Sequence, residues 1–343
     1  MIRGDGVLSA AEVVRYYRDL STSLGCAPRT PAEGQALVGR VRLRYLEWGE
    51  PTSRPALVLL HGGGLNVHTW DAVAMLVSAD HHVVAIDLRG HGASEWSPQL
   101  DYGLPDHADD VREALALLGI RSYVLVGMSL GGFVSLRIAT SGPGEARGIV
   151  LVDVSTRVRL RSARQIRGFI AGRDEFDSVD DAVEYVRAHR GGRVPGESSG
   201  TTAPPATAPP VHRTESLRTH VALNLMRLAT GRLTWRYDRR HRTMAELDAM
   251  LDDAAMIEES LPRLRCPLLL VVGADSDVLD PDEPARLTGL LTVPARAVTV
   301  EGAGHSVQRD APVAVARLLV DFLDEVAMPQ TYLNRPHGEG RNA

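Results

Sequence analysis

Ser129 stands in Gly127-Met128-Ser129-Leu130-Gly131, between the apolar run YVLV and the helix-like FVSLRIAT. A serine on a tight strand-to-helix turn is held in a strained conformation with its hydroxyl exposed, and glycines two residues to either side let the neighbouring backbone come close. Such a hydroxyl attacks a carbonyl only if a base removes its proton. His305, in Glu301-Gly302-Ala303-Gly304-His305, follows the last apolar run and precedes a closing helical pattern, which puts it on a loop at the same sheet edge as Ser129. The chain has 12 histidines, and position along the chain singles this one out. Charge developing on the attacked oxygen needs preformed donors, each worth ~3 kcal/mol. His61-Gly62-Gly63-Gly64 follows the run ALVLL and supplies them: the N–H groups of Gly63 and Leu130 are expected to form the oxyanion hole, with Gly64 as a third donor. His61 itself braces that loop. The remaining need is a carboxylate to orient the imidazole. The segment GADSDVLDP offers Asp275, Asp277 and Asp280; Asp277 is taken first over Asp275, and N-capping beside Pro281 accounts for Asp280. The chain order is then Ser129, Asp277, His305.

These residues need a rigid sheet edge. Residues 56–60, 82–86, 123–126, 148–152 and 268–272 are short, almost unbroken apolar runs separated by helix-length segments. Strands buried on both faces read this way, and their alternation with helices implies a mostly parallel, doubly wound α/β sheet. Residues 297–300 complete it and 312–326 form a closing helix. Residues 41–48 (VRLRYLEW) alternate apolar and polar side chains, as expected of an antiparallel edge strand. Residues 9–20 predict an amphipathic helix with Ser9 as N-cap, and 25–34 a loop. The buried-strand pattern lapses after the sixth strand. Residues 155–262 therefore read as a helical lid over the strand ends, with helices at 178–189 and 215–230 and a flexible Gly/Ser/Thr/Pro loop at 191–211. The expected organisation is a helical extension at 1–36, a core at 37–154 and 263–327, the lid between them, and a polar tail at 328–343.

With these motifs in place, Asp87-Leu88-Arg89-Gly90-His91-Gly92-Ala93-Ser94 resembles the D-x-R-G-x-G-x-S turn of the α/β-hydrolase superfamily, and the chain is similar to that superfamily over roughly 41–326 apart from the lid. The resemblance implies a triad of Ser129, Asp277 and His305 with an oxyanion hole at Gly63 and Leu130, and gives the turn a structural role. Its usual acid stands four residues before the loop proline, here Pro281, which points to Asp277. Some members draw the acid from the strand after the nucleophile, where Asp153 stands. A serine nucleophile excludes the carboxylate chemistry of the family's dehalogenases and epoxide hydrolases. The elbow resembles those of enol-lactonases, small esterases and haloperoxidase-like members. The implied reaction is hydrolysis of a carboxylic ester or lactone through an acyl-enzyme. C–C hydrolases of the meta-cleavage type more often carry Asn where Met128 stands and rank second. The same fold also hosts lyases, acyltransferases and ligand receptors.

Composition narrows the chemistry further. The chain has 343 residues, 44% hydrophobic and 24% charged, with a net charge of −5, which points away from nucleic-acid and membrane partners and toward a small-molecule substrate. All 38 basic residues are Arg, so chemistry that needs a lysine is excluded. Cys26 and Cys266 read as structural thiols. No His, Cys or carboxylate cluster has metal-ligand spacing, and the glycines at 62–64 open no dinucleotide fingerprint, so no cofactor is expected. No apolar run reaches the ~20 residues of a membrane span, and the N-terminus lacks a signal-peptide pattern, which predicts a cytoplasmic protein. Residues 155–242 hold 17 Arg against 9 Asp or Glu, read as a solvated surface in preference to a port for a carboxylate substrate. Met128, Gly64 and Trp235 are expected to touch substrate; for Trp235, as for Tyr237 and Met226, packing the lid onto the body is the alternative.

Overall fold

The computed structural model describes residues 6–141, 145–189, 214–240 and 244–327. Its strands are β1 (Ala32–Val38), β2 (Val41–Trp48), β3 (Ala56–Leu60), β4 (Val83–Ile86), β5 (Tyr123–Met128), β6 (Ala146–Val152), β7 (Glu175–Phe176), β8 (Leu225–Arg227), β9 (Leu233–Trp235), β10 (Leu268–Gly273) and β11 (Ala295–Val300). Eight of them form one sheet in the order β1-β2-β4-β3-β5-β6-β10-β11. The pairs β1/β2 and β2/β4 are antiparallel and the rest parallel.

Uninterrupted apolar strands demand cover on both faces. On β3, Val58 and Leu60 join Phe133, Leu136, Leu104 and Val111 of the helices Leu104–Leu117 and Leu130–Ser141. Leu57 and Leu59 point the other way, to Trp70, Leu319 and Phe322 around the helices Asp71–Val77 and Pro312–Ala327. The period of two splits the core into two layers with the sheet between them.

The N-terminal helix, Ala10–Leu24, starts at Ser9 as expected: Ser9 Oγ accepts from the N–H of Glu12, whose carboxylate accepts from the N–H of Ser9. It ends at Gly25, in the left-handed region at φ 66°. Tyr17 anchors it by donating to Asp71 at 3.1 Å.

Three expectations about this end are corrected. Residues 32–38 are β1 and form the sheet edge, so 41–48 is the second strand and the segment 25–34 is only partly loop. The boundary of the extension at 36 fails for the same reason. The sequence AEGQALV hides this strand because its first three residues face water or the Tyr45 ring, and alternation emerges only at Ala36 and Val38.

Between β6 and β10 the chain leaves the main sheet. The helices Leu160–Ile170, Val179–His189, Thr214–Leu223 and Met244–Ser260 are joined by a second antiparallel sheet, β7-β9-β8. The insertion is thus not purely helical, and the expected helix at 215–230 stops at Leu223. A hairpin takes over, with Leu228 N–H donating to the Arg232 carbonyl and Gly231 at φ 86°. Phe176, Val183, Val221, Leu225, Leu233 and Trp235 give this region a core of its own. The expected loop at 191–211 and the polar tail at 328–343 lie outside the described residues. Among the described residues, no helix is long and apolar enough to cross a membrane. Cys26 and Cys266 are free thiols, and burial pushes the Cys266 thiol up to about 12.

Candidate active site

Strand β5 runs directly into Ser129, which sits at φ 51°. That left-handed conformation costs a non-glycine residue roughly 1–2 kcal/mol, so the surroundings must impose it. They do so by close packing. A Cβ on Gly127 would lie 2.2 Å from the Gly131 carbonyl oxygen, and one on Gly131 would lie 2.2 Å from that of Leu60. The G-x-S-x-G pattern is therefore a requirement for space. Leu130 opens the next helix, so its N–H belongs to the first turn, which has no intrahelical acceptor. The 61–64 loop lies against this elbow, with a Cβ built on Gly62 coming within 3.3 Å of Ser129 Cβ. Gly63, Gly64, Ser129, Leu130 and His305 all line one cavity of about 390 Å³.

The imidazole of His305 is held by Asp153 and not by Asp277. Nδ1 lies 2.8 Å from Asp153 Oδ2. A carboxylate can only accept, so Nδ1 carries the proton of this bond. Asp153 ends β6, turns at φ 52° and is wholly buried. It also accepts from Gly273 N–H at 3.1 Å and from the Ser276 hydroxyl at 2.5 Å. Asp277 is exposed, and its carbonyl takes the Ser162 hydroxyl at 2.8 Å. Asp275 is exposed as well, and Asp280 pairs with Arg159. The physical reason is strand adjacency. β6 and β10 are hydrogen-bonded neighbours, so the tip of either can reach the His305 loop, and the buried tip is the one that does. The sequence signal was the Asp that directly follows the apolar run 148–152, in Val152-Asp153-Val154.

His61 is fully engaged. Nδ1 donates to the Gly62 carbonyl at 2.8 Å, and Nε2 accepts from Leu88 N–H at 3.0 Å. Burial lowers its pKa despite the pull of Asp87, so it stays neutral and braces the loop. The 87–94 turn is structural too. Burial alone would push the Asp87 carboxyl up, but Arg44 and the N–H groups of Ala93 and Val67 outweigh it and hold the group below its usual range.

Other expected contacts divide. Gly64 lines the cavity, with φ 73° and space that a Cβ would have to share with Ile170. Met128 does not: its side chain is buried on the opposite face of the sheet with Val124 and Val126. Trp235 is also displaced from the expected role. Its ring packs 5.1 Å from that of Phe176 and its Nε1–H donates to the Arg173 carbonyl, inside the core of the insertion. Met226 is buried and does not line the cavity, whereas Tyr237 reaches the cavity and donates to the Ile170 carbonyl at 3.2 Å. Ile170 and Tyr102 are wall residues that sequence reasoning did not single out as substrate contacts. Among the described residues, several arginines of the insertion are paired with carboxylates: Arg173 with Asp181, Arg218 with Asp180, Arg232 with Glu175, Arg239 with Asp174 and Arg240 with Asp238. Among the described residues Arg167 is the one arginine lining the cavity, and no group of three or more His, Cys, Asp or Glu could hold a metal.

Comparison with known proteins places the chain in a family. The model of the alpha/beta hydrolase family matches residues 57–318. Esterase Rv0045c of Mycobacterium tuberculosis is 32% identical over 285 residues, 81% of this chain and 85% of that protein. A solved structure of the same esterase superposes with a TM-score of 0.68 at 29% identity, covering 90% of this chain and 97% of that one. The 3-hydroxybutyrate-oligomer hydrolase of Cupriavidus necator is 25% identical over 245 residues, 70% of this chain and 79% of that protein.

Proposed function

The chain belongs to the α/β-hydrolase family, and from that premise we propose that it is a serine hydrolase cleaving a carboxylic ester or lactone of a small to medium-sized substrate. The observation that carries this reading is the buried Asp153 carboxylate bonded to His305, whose imidazole lines the cavity that also holds Ser129 at its strained elbow. An esterase relative at 32% identity supports the ester class.

In this mechanism His305 Nε2 takes the Ser129 proton as Oγ attacks the carbonyl carbon. Asp153 stabilises the imidazolium that results. Charge on the tetrahedral oxygen is met by the N–H groups of Gly63 and Leu130, near the positive end of the helix Leu130–Ser141. Collapse expels the alcohol, protonated by His305, and leaves an acyl-Ser129 ester. Water attacks that ester with the same base. The insertion acts as a lid in this reading, contributing Val158, Ile166, Ile170 and Met250 to the cavity wall opposite the sheet. Those apolar side chains, with Leu104 and Phe133 from the core, favour an uncharged acyl group.

Turnover of p-nitrophenyl butyrate by the wild-type protein, lost by at least ~10³-fold in Ser129→Ala, is the expected result. Equal turnover by the two proteins would overturn the assignment of the nucleophile.

A further inference from the structure

The Asp153 carboxylate has a third neighbour besides His305 and the backbone. Ser276, on the loop after β10, places its Oγ 2.5 Å from Asp153 Oδ2, the same oxygen that accepts from His305 Nδ1 at 2.8 Å. The direction of this bond is fixed from behind. Ser276 Oγ accepts from Val278 N–H at 3.3 Å, and Ser276 N–H donates to the Gly273 carbonyl at 3.0 Å. A hydroxyl whose lone pair is taken by an amide turns its proton outward, and here the acceptor it meets is a carboxylate oxygen. The result is a polarised chain: Val278 N–H to Ser276 O–H to Asp153 Oδ2, met from the other side by His305 Nδ1–H. Gly273 N–H holds Oδ1 at 3.1 Å.

We propose that Ser276 is a positioning residue for the acid–base pair: its hydroxyl locks the rotation of the Asp153 carboxylate and draws charge from Oδ2, so tempering the basicity that Asp153 confers on His305. The inference rests on the reading of His305 as the base. A hydroxyl that merely capped the turn would accept from Val278 N–H and give its proton to water or a backbone carbonyl. Ser276 does more, because it shares the one oxygen through which Asp153 acts. Removing it leaves His305 as the sole donor to Oδ2, and a carboxylate with less of its charge satisfied elsewhere favours the protonated imidazole.

The ionisable groups on the neighbouring elements are Asp275 and Asp277 on the loop after β10, Arg309 and Asp310 on the short helix Val307–Asp310, and, around the cavity, Arg167, Asp101, Asp106, Asp238, Asp253, His91, His107, Tyr102 and Tyr237. Asp310 holds the His305 loop through Gly304 N–H at 3.0 Å. Replacement of Ser276 alters none of them.

The test compares wild type, Ser276→Ala and Ser276→Thr, titrating the His305 imidazole by nitrogen-15 NMR of histidine-labelled protein and measuring kcat and KM for p-nitrophenyl butyrate across pH. In Ser276→Ala the His305 midpoint and the acid limb of kcat/KM move up by about half a pH unit, kcat falls roughly tenfold, and KM stays within about twofold. Ser276→Thr, which keeps the hydroxyl, restores both. An Ala variant that titrates as wild type does, or one that loses activity evenly at every pH without rescue by Thr, overturns the proposal. The NMR titration reads the pair without any substrate, so an inactive wild-type protein would count against the hydrolase reading and leave the Ser276 result to stand by itself.

Discussion

The loops that follow β6 and β10 leave the sheet side by side, from strands paired in parallel register, and each carries an aspartate within a few residues of its strand end. Only the first meets the histidine. Asp153 follows its strand immediately, bends at φ 52°, and disappears into the protein with three donors on its carboxylate. Asp277 comes four residues beyond β10 and faces solvent. An orienting carboxylate is worth most where water cannot screen it, so burial and donor geometry decide between the two where spacing from a proline does not.

The sharpest way to break this contrast is to neutralise each acid in turn. Asp153→Asn should lower kcat by ~10³–10⁴-fold, the scale seen when a triad acid loses its charge and the imidazole its correct tautomer. Asp277→Asn should stay within about twofold. A steady-state comparison of both variants at neutral pH checks this, and the reverse ranking would restore Asp277 as the acid.

The insertion holds a smaller version of the same contrast. Trp235 and Ile170 both belong to its apolar cluster, but only Ile170 reaches the cavity. Trp235→Ala should cost about 3–5 kcal/mol of stability, read in chemical denaturation. Ile170→Ala should leave the fold intact and change the ranking of acyl chain lengths in kcat/KM, because Ile170 lies against Gly64 of the oxyanion loop.

Two histidines give the mildest effect. His61 is sealed between Gly62 and Leu88, while the His305 side chain keeps 23% of its surface exposed. Burial lowers the folded-state pKa of His61 below the ~6.5 of an unfolded histidine. Below that pH the unfolded chain takes up a proton that the folded chain refuses. The stability linked to His61 is thus fully present above ~6.5 and is lost as pH falls below it. The expected outcome is a Tm that drops between pH 7.5 and 5.5, with a shallower drop, from a lower starting value, in His61→Gln.

What could be read from the sequence follows the range of the interactions. The Ser129 elbow is local: its glycines, its strand and its helix lie within a few residues of one another, and each leaves a mark in composition. The parallel strands were legible because two-sided burial forces an unbroken apolar run. Asp153 was harder, since its partner lies 152 residues away and the contact depends on which strand is β6's neighbour. β1 and the three short strands of the insertion were missed for a related reason. Strands of two or three residues, or strands with a wet outer face, carry too little alternation to stand out from a loop or a helix.

A fluorophosphonate probe tests at once whether Ser129 is activated and whether buried Asp153 orients the His305 base that activates it. Intact-protein and peptide mass spectrometry should find a single phosphonyl group on Ser129 in wild type and in Asp277→Asn, formed at similar rates. Labelling should be slowed by ~10²-fold or more in Asp153→Asn, where the base loses its orienting charge, and absent in Ser129→Ala. A folded wild-type protein that takes no label, or one in which Asp277→Asn is the slowed variant, would contradict it.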